Sequence, residues 1–279
     1  VLVPLPLFHV GGACWGLNAL YQGEADLVLR EASAPLIVEA FSRFAITTAG
    51  MVPAVMKMVL DHPDAANADF SRLDTLTYGA SPISPDLLER VRARFACNLV
   101  QMFGMTESAS LATFLPPEDH DVSRAEKMLS VGKAATDVRL KIVDPEGNEL
   151  PAGETGEVLL SCGSLMKGYW RRPEATEKAI VDGWYHTGDA GYIDGEGSLF
   201  LRDRIKDMVI TGGENVYSAE VERALMGCPD IADAAIIGVP DPRWGEAVKA
   251  LVVRAPGAQI DEAAVIAYAR TRLAGYKCP

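Results

Sequence analysis

The chain's 279 residues can bury one large core or two ordinary ones, and two domains is the better expectation at this length. With 49% hydrophobic and 23% charged residues it has the proportions of a folded globular protein, which excludes a disordered or collagen-like chain. A formal charge of −12 disfavours nucleic acid and anionic membrane surfaces as partners, so any nucleotide must be held by local devices: backbone N–H groups, a few basic side chains and bound Mg²⁺.

Over the first hundred residues short β-branched runs alternate with helical stretches. The pattern predicts strand 1–5, helix 12–21, strand 25–29, helix 35–44, strand 46–49, helix 53–61, strand 75–78, helix 84–95 and strand 98–102. This is the pattern of an α/β fold, a parallel sheet with flanking helices, in which ligands sit beyond the carboxyl ends of the strands. From about 130 to 202 the texture changes to strands and tight turns. Strands 138–143 and 157–161 are separated by Asp144-Pro145-Glu146-Gly147, and Asp194-Gly195-Glu196-Gly197 marks a second hairpin, giving an antiparallel β subdomain. After Arg204 come strand 207–211, helix 218–227 with Ser218 as N-cap, strands 233–239 and 247–253, and helix 261–274. The expected division is a large domain over 1–204, α/β in character over 1–125 and β-rich over 126–204, and a small α+β C-terminal domain over 205–279.

No apolar run reaches the length of a membrane span, and the first residues carry no signal-peptide pattern. Cys14, Cys97, Cys162, Cys228 and Cys278 are odd in number and show no metal-ligand rhythm, so buried reduced thiols and a cytoplasmic setting are expected. Nothing in the pattern specifies an oligomeric state. Val1 to Leu7 reads as a core strand entered midway and Cys278-Pro279 follows a helical stretch directly, so a fragment is expected.

Three stretches carry chemistry. Gln101-Met102-Phe103-Gly104-Met105-Thr106-Glu107-Ser108 brings a glycine, a hydroxyl and a carboxylate to the end of a strand, where they suit a phosphate and Mg²⁺. Taken alone, Thr106 capping a helix with Glu107 in its first turn is the simpler explanation. In Tyr185-His186-Thr187-Gly188-Asp189, in a turn leading into a strand, the carboxylate can accept from two vicinal hydroxyls, although Asp after Gly is also ordinary turn chemistry. The third stretch runs from Asp203 and Arg204 through Lys206 to Gly212, Gly213 and Glu214. Its paired glycines allow close approach of a ligand or form a plain strand-to-helix turn, and its charges are equally those of a solvated linker.

In this order and spacing the three stretches, with Pro6-Leu7-Phe8-His9, Gly79-Ala80-Ser81-Pro82 and Tyr276-Lys277-Cys278-Pro279, resemble the signature set of the adenylate-forming (AMP-binding) superfamily. The resemblance spans nearly the whole chain and points to its AMP-forming acyl-CoA synthetases. It implies ATP-dependent activation of a small carboxylic acid, fatty or aryl, to acyl-AMP, followed by transfer to coenzyme A, with Mg²⁺ as cofactor. It implies that Gly79, Ala80, Ser81, Pro82, Met102, Phe103 and Gly104 form the adenine pocket, that Thr106 meets the α-phosphate and that Glu107 binds the metal. Asp189 and Arg204 would take the ribose, Lys206 would be the hinge of a swivelling small domain, and Gly212, Gly213 and Glu214 would line the pantetheine tunnel. His9 is similar to the gate between acid and nucleotide and would border the acyl pocket, which Met51, Val52, Tyr78, Met102 and Met105 would line because they lie near strand ends on the same side, though a packed histidine and ordinary core methionines explain these residues as well.

Two pieces of the family pattern are missing: a Gly/Ser/Thr-rich phosphate loop upstream of Val1 and a catalytic lysine downstream of Pro279. Residues 1–279 alone are therefore expected to be poorly soluble and not to make acyl-adenylate. A carrier-protein adenylation domain for amino acids is disfavoured because His9 stands where such enzymes usually carry an ammonium-binding aspartate. A luciferase-like oxygenase shares the motifs, and a non-catalytic AMP- or acyl-CoA-binding protein is the alternative from another class.

Overall fold

The computed structural model describes residues 1–109, 111–124 and 126–279. Among them two compact units stand out. One comprises Val1–Leu140, Leu159–His186 and Ile193–Phe200, and the other Lys141–Val158, Thr187–Tyr192 and Leu201–Pro279.

The first unit is built on a seven-stranded sheet of β1 (Leu2–Val3), β2 (Leu27–Val28), β3 (Thr48–Met51), β4 (Thr75–Gly79), β5 (Asn98–Phe103), β6 (Thr113–Leu115) and β7 (Lys133–Ala134). Its order is β2-β1-β3-β4-β5-β6-β7. The first five strands run parallel, as the strand–helix alternation predicts, and β6 and β7 add antiparallel pairs that the sequence pattern did not disclose. Helices α1 (Val10–Tyr21), α2 (Ala34–Arg43), α3 (Pro53–Leu60) and α4 (Pro85–Phe95) occupy the crossovers. Their starts follow from local chemistry: α2, α3 and α4 carry Pro in the first turn, and Ser84 Oγ accepts from Leu87 N at 3.2 Å.

Phe41, Phe70 and Phe95 centre this unit's core, with Phe70 edge-on to both others at centroid distances of 4.9 and 4.7 Å. α4 ends on Ala96, whose φ of 49° is left-handed. That conformation costs an alanine about 1–2 kcal/mol, against about 0.4–1 kcal/mol for the looser unfolded chain of a glycine. Ala96→Gly is therefore expected to stabilise the protein by about 0.5–1 kcal/mol; a lower urea midpoint for the variant would contradict this.

A five-stranded sheet follows in the chain: β8 (Arg139–Val143), β9 (Gly156–Ser161), β10 (Ile180–Val181) after the short helix α5 (Pro173–Ala179), β11 (Trp184–Ile193) and β12 (Leu199–Arg204). Its order is β10-β11-β9-β8, with β12 beside β11. Both expected turns form: Gly147 (φ 86°) donates to Asp144 O at 3.0 Å, and Gly197 (φ 84°) to Asp194 O at 3.0 Å. The buried Lys127 ammonium fastens the second turn, at 3.3 Å from Asp194 Oδ2 and 2.9 Å from Glu196 Oε2. Burial pulls its pKa down, but the two carboxylates outweigh that and leave it raised.

In the second unit β13 (Val209–Thr211), β14 (Glu214–Val216), β15 (Ile231–Asp241) and β16 (Gly245–Arg254) form an antiparallel sheet in the order β14-β13-β16-β15. Helices α6 (Ser218–Met226) and α7 (Glu262–Arg270) pack with it around Val209, Val216, Val221, Leu225 and Val265. α7 stops short of the expected 274, capped at Thr271. The expected N-cap of α6 is corrected: Tyr217 holds the cap position and Ser218 is the first helical residue. The capping acceptor is Asp203, whose Oδ2 receives Ser218 Oγ at 2.8 Å and Ala219 N at 3.2 Å.

The cysteines are free, but only Cys228 is buried; Cys14, Cys97, Cys162 and Cys278 are half-buried, contrary to expectation. Among the described residues no helix is long and apolar enough to cross a membrane.

Candidate functional site

At the carboxyl ends of β4 and β5 the expected adenine segments lie side by side, with Gly79 paired to Met102 in the sheet register. A Cβ on Gly79 would stand 2.0 Å from Met102 O, so only glycine lets the strands approach this closely. Ala80 follows at φ 66°, a strained conformation for alanine, and Ala80, Ser81 and Pro82 are exposed beyond the strand end. Met102, Phe103 and Gly104 are half-buried.

After Phe103 the chain does not enter an α-helix, so Thr106 does not cap one. A single 3₁₀ turn, Thr106–Ser108, forms with Met105 in the cap position, and the Ser108 hydroxyl bonds Met105 N and O at 3.3 and 3.2 Å. Thr106 is exposed and Glu107 half-buried. Residues 162–169 lie across this turn: Met166 N donates to Glu107 O at 2.7 Å and Ser164 Oγ to Ser108 O at 3.0 Å.

From the same segment Tyr169 Oη donates to Glu107 Oε1 at 2.8 Å, and Tyr185 Oη stands 3.3 Å behind it. Burial, added to by the neighbouring Glu107 charge, raises the pKa of both phenols, so both remain protonated donors. Sequence reasoning missed Tyr169 entirely and quoted Tyr185 without a role, because nothing in their spacing ties either to Glu107.

The expected acyl-pocket residues separate. His9 is exposed and its Nδ1 accepts Gly11 N at 3.1 Å, which makes it the N-cap of α1. Met51 and Tyr78 are packed in the core at 2% and 1% exposure. The Tyr78 hydroxyl is taken up by His120 Nε2 at 3.0 Å, so neither side chain has surface left for a ligand. Val52 and Met105 are half-buried and, with His9, retain it.

In the second unit Asp189 lies within β11, not in the turn expected from its glycine neighbour. Gly188, at φ 71°, breaks the strand's regularity, and its N–H donates to Glu157 Oε1 at 3.2 Å. Thr187 Oγ1 donates to Val158 O at 2.7 Å and accepts Asp189 N at 3.0 Å, which fixes the backbone beneath the carboxylate. Arg204 Nη1 donates to Asp189 Oδ1 at 2.8 Å and to Thr187 O at 3.4 Å. Asp189 is 6% exposed, and its burial raises its pKa despite Arg204. A desolvated carboxylate in this state gains most from a ligand that brings hydrogen-bond donors.

Lys206 is exposed in the 3₁₀ turn Ile205–Asp207 directly after β12. Gly212 and Gly213, at φ 59° and 85°, form the two-residue turn between β13 and β14, and exposed Glu214 begins the return strand. The turn is thus a hairpin and not a strand-to-helix connection. Trp244 backs it, its ring 3.0 Å from where a Cβ on Gly212 would stand.

Among the described residues no group of three or more His, Cys, Asp or Glu side chains could cage a metal ion. Glu107 fits Mg²⁺ in the other common manner, as a single hard-oxygen ligand to an ion whose remaining positions are filled by phosphates and water.

The family model for an AMP-binding enzyme matches residues 1–170, and that for an AMP-binding enzyme C-terminal domain matches residues 220–279. The whole chain aligns at 42% identity with 53% of the fatty acid–[acyl-carrier-protein] ligase ScoC of Streptomyces coeruleorubidus, and at 44% identity with 56% of a feruloyl-CoA synthase of Amycolatopsis sp. It superposes over its full length, at a TM-score of 0.90 and 31% identity, on 55% of the o-succinylbenzoate CoA synthetase of Bacillus subtilis in complex with its acyl-adenylate intermediate. The chain therefore spans about half the length of the curated relatives it matches. With the first family model matching well over half of the chain, the second matching its last 60 residues and the fold shared along its whole length, the chain belongs to the AMP-binding enzyme family.

Proposed function

We propose that this chain carries nucleotide- and acid-handling residues of an AMP-forming acid–thiol ligase. In the first half-reaction a carboxylate oxygen of a fatty or aryl acid attacks the α-phosphorus of ATP and pyrophosphate leaves. In the second a thiol sulfur attacks the acyl carbon of the mixed anhydride and AMP leaves. The observation that carries this is the buried Asp189 carboxylate, held at Oδ1 by Arg204.

In this reading Asp189 accepts from the two ribose hydroxyls and Arg204 reaches the same sugar. Gly79, Ala80, Ser81, Pro82, Met102, Phe103 and Gly104 receive the base, and the exposed Thr106 hydroxyl donates to the α-phosphate. Glu107 would hold Mg²⁺, which would supply neutralisation of the charge that develops on the phosphates. His9, Val52 and Met105 meet the acid, Lys206 is the pivot between half-reactions, and Gly212, Gly213 and Glu214 border the thiol's path. Coenzyme A is the proposed thiol, as the name of the Amycolatopsis relative supports; the name of the Streptomyces relative favours an acyl-carrier protein as the second candidate.

The test uses a polypeptide containing this chain at the length of its relatives, with ATP, Mg²⁺, coenzyme A and a panel of fatty and aryl acids. Pyrophosphate release that requires one of the acids is expected. Tight nucleotide binding without pyrophosphate release on any acid would replace this reading with that of a non-catalytic binding protein.

A further inference from the structure

We propose that Tyr169, backed by Tyr185, is a positioning residue that sets the orientation of the Glu107 carboxylate and thereby tunes its hold on a divalent cation. The inference rests on the metal role given to Glu107 above.

Glu107 stands on a turn of only three residues with exposed Thr106 before it and Ala109 in a left-handed conformation (φ 56°) after it, so its own element does little to restrict its side-chain torsions. Restriction comes from a distant stretch of the chain. The Tyr169 phenol donates to Oε1 at 2.8 Å and thereby selects one carboxylate orientation. Having given its single proton to Glu107, Tyr169 Oη can only accept from Tyr185 Oη at 3.3 Å. Tyr185 is 6% exposed and packs with Ala112 and Leu160, so the second phenol is a fixed support.

The backbone that presents Tyr169 is fixed at both ends. Met166 N and Ser164 Oγ bond the carbonyls of Glu107 and Ser108, while Tyr169 N donates to Thr176 Oγ1 at 2.9 Å. Gly168, at φ 147°, lies so close to Thr176 that a Cβ there would come within 2.7 Å of Thr176 Cγ2. Two phenols and two backbone clamps thus converge on one carboxylate. With Oε1 engaged by a phenol, Glu107 offers a cation its other oxygen, the monodentate mode that suits the small, geometrically strict Mg²⁺. Partners of this kind behind a metal ligand typically change metal affinity by about 10–100-fold when removed.

The test is Mn²⁺ binding in the presence of a non-hydrolysable ATP analogue, followed by the electron paramagnetic resonance of free Mn²⁺, for wild type, Tyr169→Phe, Tyr185→Phe and Glu107→Gln. AMP affinity in a chelator is measured alongside. Tyr169→Phe is expected to weaken Mn²⁺ by about 10–100-fold while leaving metal-free AMP affinity unchanged, with a smaller shift for Tyr185→Phe. A merely structural tyrosine would move both measurements together, and that result overturns the proposal, as does an unchanged Mn²⁺ curve in Tyr169→Phe where Glu107→Gln shifts it. An unchanged curve in Glu107→Gln overturns the metal role itself and this inference with it. Should Tyr169→Phe fail to fold, Tyr185→Phe decides: an Mn²⁺ curve like that of wild type then rejects the proposal.

Discussion

Replacing Asp189 by Asn should lower AMP affinity by about 10²- to 10⁴-fold without loss of thermal stability. Each hydrogen bond from a ribose hydroxyl to a charged acceptor is worth about 1.5–3 kcal/mol, and two of them give about 3–6 kcal/mol. The amide keeps one carbonyl acceptor, which places the expected loss in the lower half of that range. Stability should hold or rise because the buried carboxylate is costly in the empty protein: burial raises its pKa in spite of the Arg204 contact. Calorimetric titration with AMP and thermal melts of the two proteins check both halves, and an unchanged AMP affinity would remove the ribose assignment.

The same carboxylate fixes a sign for pH. Its folded pKa lies above the unfolded value, so between the two the native state binds more protons, and its contribution to stability declines as pH rises through that window. Ribose donors favour the ionised form. AMP should therefore bind more tightly as pH rises through the raised pKa of Asp189, with release of a proton, and the Asn variant should lose that dependence.

The second large effect is expected at Lys206. The residue is exposed in the short turn after β12, and the bond closing that turn, Met208 N to Ile205 O, does not use the Lys206 N–H. Lys206→Pro should therefore fold, but with φ fixed near −65° it removes the freedom a pivot needs. In an adenylate-forming polypeptide containing this chain, acid-dependent pyrophosphate release should persist while thioester formation falls by about 10²-fold or more, the usual cost of misplacing reacting groups. Equal loss of the two half-reactions would mean that Lys206 is not the pivot.

The regular elements of the first hundred residues were legible because each is punctuated locally. β-branched runs give β3, β4 and β5, and Pro53, Ser84 and Pro85 mark where helices begin, so boundaries came within a few residues. β6 and β7 were not legible: at three and two residues they are too short to show alternation, and they are strands only through pairing with β5 and with each other. The cap of α6 misled for a related reason. Ser218 has the preferred chemistry, but Asp203, fifteen residues earlier, lies close enough to accept from both Ser218 and Ala219, and no local pattern encodes that approach.

The site shows the same division. Glu107, Asp189 and Arg204 stood out by motif, and the structure adds the Asp189–Arg204 pair as geometry. Met51 and Tyr78 stand near the ends of β3 and β4, where a pocket is expected, but alternation along a strand turns some end residues inward, and these two are core. Tyr169 shares no motif with Glu107, sixty-two positions away, and only the fold brings phenol and carboxylate together.

Whether Asp189 and Arg204 hold a nucleotide's sugar is decided by a crystal structure with AMP bound. Both ribose hydroxyls are expected within about 3 Å of the Asp189 carboxylate, with the Arg204 guanidinium beside the same sugar. AMP seated elsewhere, with Asp189 and Arg204 still paired to each other and neither touching the ribose, would refute the nucleotide assignment.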